Sequence, residues 1–257
     1  MEREGPENVT AFIGEPIVGT AAGATVPPPE YFPMICEICD RHDILFIADE
    51  VMCGTGRTGK PFAIEHWGVV PDFIAAGKGM ASGYAPLAGL LVSEHIHQVI
   101  KDGSGNLGHG HTFMGNPHSC AVGVAVLRYL EEHDLINRCA RMGEYMFSAL
   151  DRLRDHPLVG DVRGKGLFAG IDFIQDHETH MPYLRKFRVS ERVTEEAFRN
   201  GLVLYPGSGG ATTEMGDHLL IAPPFIITKK EIDEAVAILK KTLDTVYAGL
   251  ERDVNGG

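Results

Sequence analysis

Two short apolar runs, each closing on a charged residue, constrain this chain most. Ile44-Leu-Phe-Ile-Ala48 contains no polar side chain and ends at Asp49. Phe73-Ile-Ala-Ala76 follows the pair Pro71-Asp72 and ends at Gly77-Lys78-Gly79. Short, uniformly apolar runs are expected as strands of a parallel sheet buried on both faces, because a half-solvated strand would alternate. Val9-Thr-Ala-Phe-Ile-Gly14 and Ala88-Gly-Leu-Leu-Val92 read as two more strands, with a helix from about Glu30 to His42. Strand, helix, strand order predicts an α/β layer.

Asn116-Pro117 marks a helix start: asparagine caps the free amides and proline takes the first helical position. That helix is expected to reach about His133, and a second to run from Leu135 to about Arg154. From there the pattern changes. Leu167–Phe173, Leu202–Tyr205 and Leu219–Ala222 read as strands, and Val189 to Asn200 as a helix closed by Gly201. Thr228-Lys-Lys-Glu231 is a capping box that opens a last helix. The reading divides the chain into 1–154 and a small α+β domain, 155–257.

The charge balance is 35 acidic against 23 basic residues, a net −12, which argues against nucleic acid or an anionic membrane surface as partner. Met1-Glu-Arg-Glu-Gly-Pro6 is charged and unlike a secretory signal, and no apolar run approaches a membrane span. Five cysteines without framework spacing fit a reducing cytoplasm.

Parallel strands present their carboxyl ends on one edge, where open α/β sheets bind ligands. Glu15, Asp49 and Lys78 all fall at such ends. A carboxylate and an amine there fit pyridoxal phosphate, whose aldehyde needs an amine and whose ring nitrogen needs an acid. A plain Asp–Lys ion pair is the other reading of the same spacing. Gly54-Thr-Gly-Arg-Thr-Gly-Lys60 imitates a nucleotide phosphate loop, but Pro61 stands where a serine or threonine would hold magnesium. A glycine-rich turn that passes close to a ligand is favoured. Cys36, Cys39 and His42 offer one cysteine pair where a structural zinc site needs two, so no metal is expected and the thiols are read as core-facing. His109-Gly-His111-Thr112-Phe113 could bind a phosphate through Thr112 and backbone amides, or be a solvated loop.

The run from Ile44 through Asp49-Glu50-Val51 to Gly59 closely resembles the signature of class III pyridoxal-phosphate aminotransferases. So do Pro71-Asp72-Phe73 with Gly77-Lys78-Gly79, and His111-Thr112-Phe113 with Gly115-Asn116-Pro117. Gly14-Glu15-Pro16, Gly164-Lys-Gly166-Leu167 and Ala222-Pro-Pro224 extend the resemblance over nearly the whole chain. It implies a fold-type-I large domain, here 1–154, and a small C-terminal domain, in a homodimer. It implies Lys78 as the Schiff-base lysine and proton shuttle, Asp49 as the pyridine partner and Val51 on the ring face. Thr112 would reach the phosphate of the other subunit's cofactor, and Glu15 would lie on the substrate side. The implied reaction is ping-pong amino transfer from an amine or amino acid to a keto acid or aldehyde. An aminomutase using the same lysine and acid is the alternative.

Family members also carry an earlier segment with a glycine–serine/threonine phosphate loop and a stacking aromatic, neither of which precedes Lys78 here. The expectation is therefore a C-terminal portion whose sheet has an uncovered edge or face. It would bind cofactor weakly alone and depend on a second copy or a complementary N-terminal chain, or stand as a non-catalytic fragment. Some members clamp a substrate carboxylate with an arginine before the Pro-Pro strand; Gly207–His218 contains none.

Overall fold

The computed structural model describes residues 2–212 and 214–255 and divides into two compact units. The first comprises 1–16 and 27–136, the second 17–26 and 137–257. The helix Leu135–Leu150 turns Cys139, Met142, Met146 and Ala149 into the core of the second unit, and the division falls in its first turn, after Ile136.

In the first unit, β1 (Ala11–Gly14), β2 (Leu45–Asp49), β3 (Phe73–Ala76) and β4 (Gly89–Val92) form one sheet in sequence order. β1, β2 and β3 are parallel; β4 runs antiparallel to β3. The helix α1 (Tyr31–Arg41) packs Phe32 and Cys39 with Phe46, Ala48 and Ile64. Burial alternates along β2: Phe46 and Ala48 are buried, Leu45, Ile47 and Asp49 only partly. The two-faced burial read from the apolar run is thus corrected. In the described residues one face of the sheet is filled, while Ile13, beside Ile47 on the other face, stays 59% exposed. Side chains two apart share a face, so Asp49 points to this less covered side.

Two helices complete the unit. α2 (Glu94–Asp102) was not anticipated. α3 (Pro117–Glu132) begins where the sequence places it, with the Asn116 side chain accepting from the Ser119 amide at 3.1 Å.

The second unit contains α4 (Leu135–Leu150), β5 (Val159–Lys165), β6 (Phe168–Asp176), β7 (Met181–Pro182), α5 (Val189–Arg199), β8 (Tyr205–Thr212), β9 (Met215–Ile221) and α6 (Lys229–Asn255). Its sheet is antiparallel in the order β5-β6-β9-β8, with β7 on β6. Leu202–Leu204 is not a strand; the ladder starts at Tyr205. The Thr228–Glu231 capping box forms as read. Among the described residues no helix is long and apolar enough to cross a membrane.

Candidate active site

The carboxyl ends of three parallel strands set out the site. Glu15 follows β1 directly, Asp49 is the last residue of β2, and Lys78 comes two residues after β3. The register pairs Gly14 with Ala48 and Asp49 with Ala75, so these ends lie on one edge of the sheet.

One Asp49 oxygen, Oδ1, accepts the Val51 amide at 3.1 Å. Its other oxygen and the Lys78 ammonium take no hydrogen bond or ion pair among the described residues. The plain Asp–Lys ion pair does not form. Two oppositely charged groups are held at adjacent strand ends, each with capacity unspent. Asp49 is half-buried and Lys78 exposed.

Lys78 also occupies unfavourable backbone space. Its φ is +37°, in the left-handed region that non-glycine residues seldom occupy. Such strain persists where the surroundings over-determine it. Here the neighbours are close. A side-chain carbon on Gly77 would lie 3.6 Å from Val51 Cγ1, and one on Gly79 3.0 Å from Thr55 Cβ. Val51 and Thr55 therefore flank the turn that carries the lysine. α3 closes on the same turn, because Gly123 leaves room for Leu87 and approaches the Met80 carbonyl.

The glycine loop after β2 is spoken for. Its Gly54 amide bonds to Glu50 O, Gly56 to Pro61 O, Arg57 to Gly54 O and Gly59 to Gly56 O. A phosphate cradle needs amides that point at the ligand; these point into the loop. Gly54 is required because a Cβ there would sit 2.6 Å from Glu50 O.

Glu50 is the residue that the sequence reading passed over. It is buried, continuing the Phe46, Ala48 alternation past the strand end. Its Oε1 accepts from the Ile64 amide at 2.7 Å, and its Oε2 from Ala63 at 2.9 Å and the Cys53 thiol at 3.3 Å. Burial pushes its carboxyl above the ordinary range, while the two amides and the thiol pull it back. The period-two count, carried two residues further, was the available signal.

Thr112 lies in an exposed loop with Phe113 and Met114, before the Asn116 cap; Glu15 is half-buried. No group of three or more metal-ligating side chains occurs among the described residues. Burial first, then Asp40, raises the Cys36 thiol to about 11 and lifts Cys39 as well, which suits apolar packing rather than thiolate chemistry.

Comparison with known proteins places the chain. A family model described as "Aminotransferase class-III" matches residues 1–243. An uncharacterised aminotransferase of Bacillus subtilis, YodT, is 40% identical over 254 residues, 98% of this chain and 57% of that protein. A putrescine–pyruvate aminotransferase of Pseudomonas aeruginosa is 40% identical over 96% of this chain and 52% of its own length. Among solved structures, a transaminase from a marine Virgibacillus superposes with a TM-score of 0.92 at 36% identity, covering 97% of this chain and 56% of that one. The chain thus spans about half the length of the curated relatives it matches.

Proposed function

The chain belongs to the class-III aminotransferase family, and from that premise we propose that it carries the lysine and acid of a pyridoxal 5′-phosphate site. In that site it would move an amino group from an amine or amino acid to a keto acid or aldehyde. The observation that carries this reading is the pair of unspent charges, Asp49 and Lys78, at neighbouring parallel strand ends without an ion pair between them. The residues fit the group: an amine for its aldehyde, and a carboxylate for its ring nitrogen. When bound, pyridoxal phosphate supplies a carbonyl for amine exchange and a ring that takes up electron density.

The protein's residues divide the remaining work. Asp49 would face the ring nitrogen, with its Oδ1 held by the Val51 amide. Val51, beside Gly77, supplies an apolar surface for a ring face. Lys78 Nζ would be the amine that holds the cofactor's aldehyde carbon and, once a substrate amine takes its place, the group that moves the substrate's proton. Thr112 is assigned to the phosphate held by the other protomer of a homodimer, and Glu15 to the substrate side. Cytoplasmic location, and a second copy or complementary N-terminal chain as partner, complete the proposal.

The test is a half-reaction. The chain, supplied with a complementary N-terminal chain and loaded with pyridoxal phosphate, is mixed with an amine donor, freed of it, and mixed with a keto acid. Carbonyl product released first and amine product second, in stoichiometric amounts, is the expected ping-pong result. Rearranged amine formed without any keto acid would replace transfer by isomerisation.

A further inference from the structure

We propose that Glu50 is a positioning residue that holds Asp49 and Val51 in place opposite Lys78. The proposal rests on the pyridoxal-phosphate reading above for its purpose, but not for its geometry. Residue 50 is tied on every side. Its amide bonds to Ala75 O at 2.8 Å, and its carbonyl accepts from Gly54 at 3.0 Å. Its carboxylate takes the Ala63 and Ile64 amides and the Cys53 thiol. One residue thereby joins β3, the glycine loop and the 63–67 turn.

Its two chain neighbours are the acid and the ring-face residue of the proposed site. Asp49 and Val51 share peptide units with Glu50, so fixing residue 50 removes freedom from one torsion of each. Ala75, which accepts the Glu50 amide, is also the register partner of Asp49 and stands three residues before Lys78. Gly54, which donates to Glu50, precedes Thr55, the residue packed on Gly79. Ties from Glu50 therefore lead to both sides of the lysine turn.

Only a carboxylate meets this arrangement. Two consecutive amides converge on two separate oxygens, and a glutamine would turn an NH2 group toward one of them. Side-chain alternation separates the tasks: Glu50 faces the filled side of the sheet and Asp49 the less covered side.

The experiment is amide-resolved hydrogen exchange on the chain without cofactor, comparing wild type with Glu50→Gln. The Val51 amide, bonded to Asp49, should exchange about tenfold faster or more in the variant, while amides of β6 in the second unit keep their rates. Glu50→Asp, which keeps the charge but shortens the reach, should fall between the two; it carries the test if the glutamine variant does not fold. Borohydride trapping of pyridoxal phosphate at Lys78 should fall in the same order. An unchanged Val51 amide would overturn the proposal, as would a change shared equally by β6. Failure of wild type to trap cofactor even with a complementary N-terminal chain supplied would sink the pyridoxal-phosphate reading, and Val51 exchange would still decide the role of Glu50.

Discussion

Position 78 makes two demands that a lysine meets at a cost. The side chain is to be an amine at a strand end, and the backbone is to turn with φ at +37°. Left-handed placement of a non-glycine residue costs about 1–3 kcal/mol. Lys78→Gly should therefore be more stable than Lys78→Ala by about 1 kcal/mol in urea unfolding, while both lose cofactor trapping. Equal stabilities would mean that the turn is not strained. Gly54→Ala tests the opposite case: the new carbon meets the Glu50 carbonyl, so a loss of about 1–3 kcal/mol is predicted from the same measurement. At this scale the placement of Asp49 and Lys78 at strand ends was legible, because a charge at the end of an apolar run stands out. Glu50 was not, since its burial depends on the 63–67 turn folding over it. The glycine loop imitates a phosphate loop because spacing is local, whereas where its amides point depends on the folded loop.

Elements were legible where their ends carry chemistry. Asn116 caps α3, and the Thr228–Glu231 box opens α6, as read. Asn116→Ala should cost about 1 kcal/mol, seen as a lower urea midpoint with unchanged slope. β8 was misplaced because Gly207-Ser-Gly-Gly resembles a loop, yet its backbone pairs with β9. A ladder can hold a strand whose own residues have little preference for one. α5 is anchored by Arg185, which bonds to Glu191 and to the buried Asp217. The Arg185 hydrogen bond holds the Glu191 carboxyl down at about 2, against an ordinary value near 4.5. Its folded value is depressed, so its stabilisation is present above pH 4.5 and lost as the pH falls through 2. Asp217 runs the other way, raised by burial. Glu191→Gln should cost about 1 kcal/mol at pH 7, and the gap to wild type should close as urea melts are taken toward pH 2.

For the whole molecule, the chain divides into two units whose boundary crosses the sequence more than once. Residues 17–26 leave the first unit just after Glu15 and pack within the second. There Arg163 bonds to Ala22 O at 2.8 Å and to Asp172, and His218 lies 3.0 Å from Thr20 O. Nothing in the glycine-rich composition of that loop distinguishes a docked segment from a solvated one; the docking partners are more than 130 residues away. Gly170 is the tightest point, where an added carbon would strike the Gly23 carbonyl. Gly170→Ala should expel the loop and make 17–26 the first site cut in limited proteolysis.

Lys78 is the lysine proposed to hold the cofactor. Pyridoxal phosphate is titrated into wild type and Lys78→Ala, each sample is reduced with borohydride, and the modified peptides are mapped. A reduced adduct concentrated at Lys78 in wild type and absent from the variant is the predicted result. Adducts spread alike over exposed lysines in both proteins would contradict it.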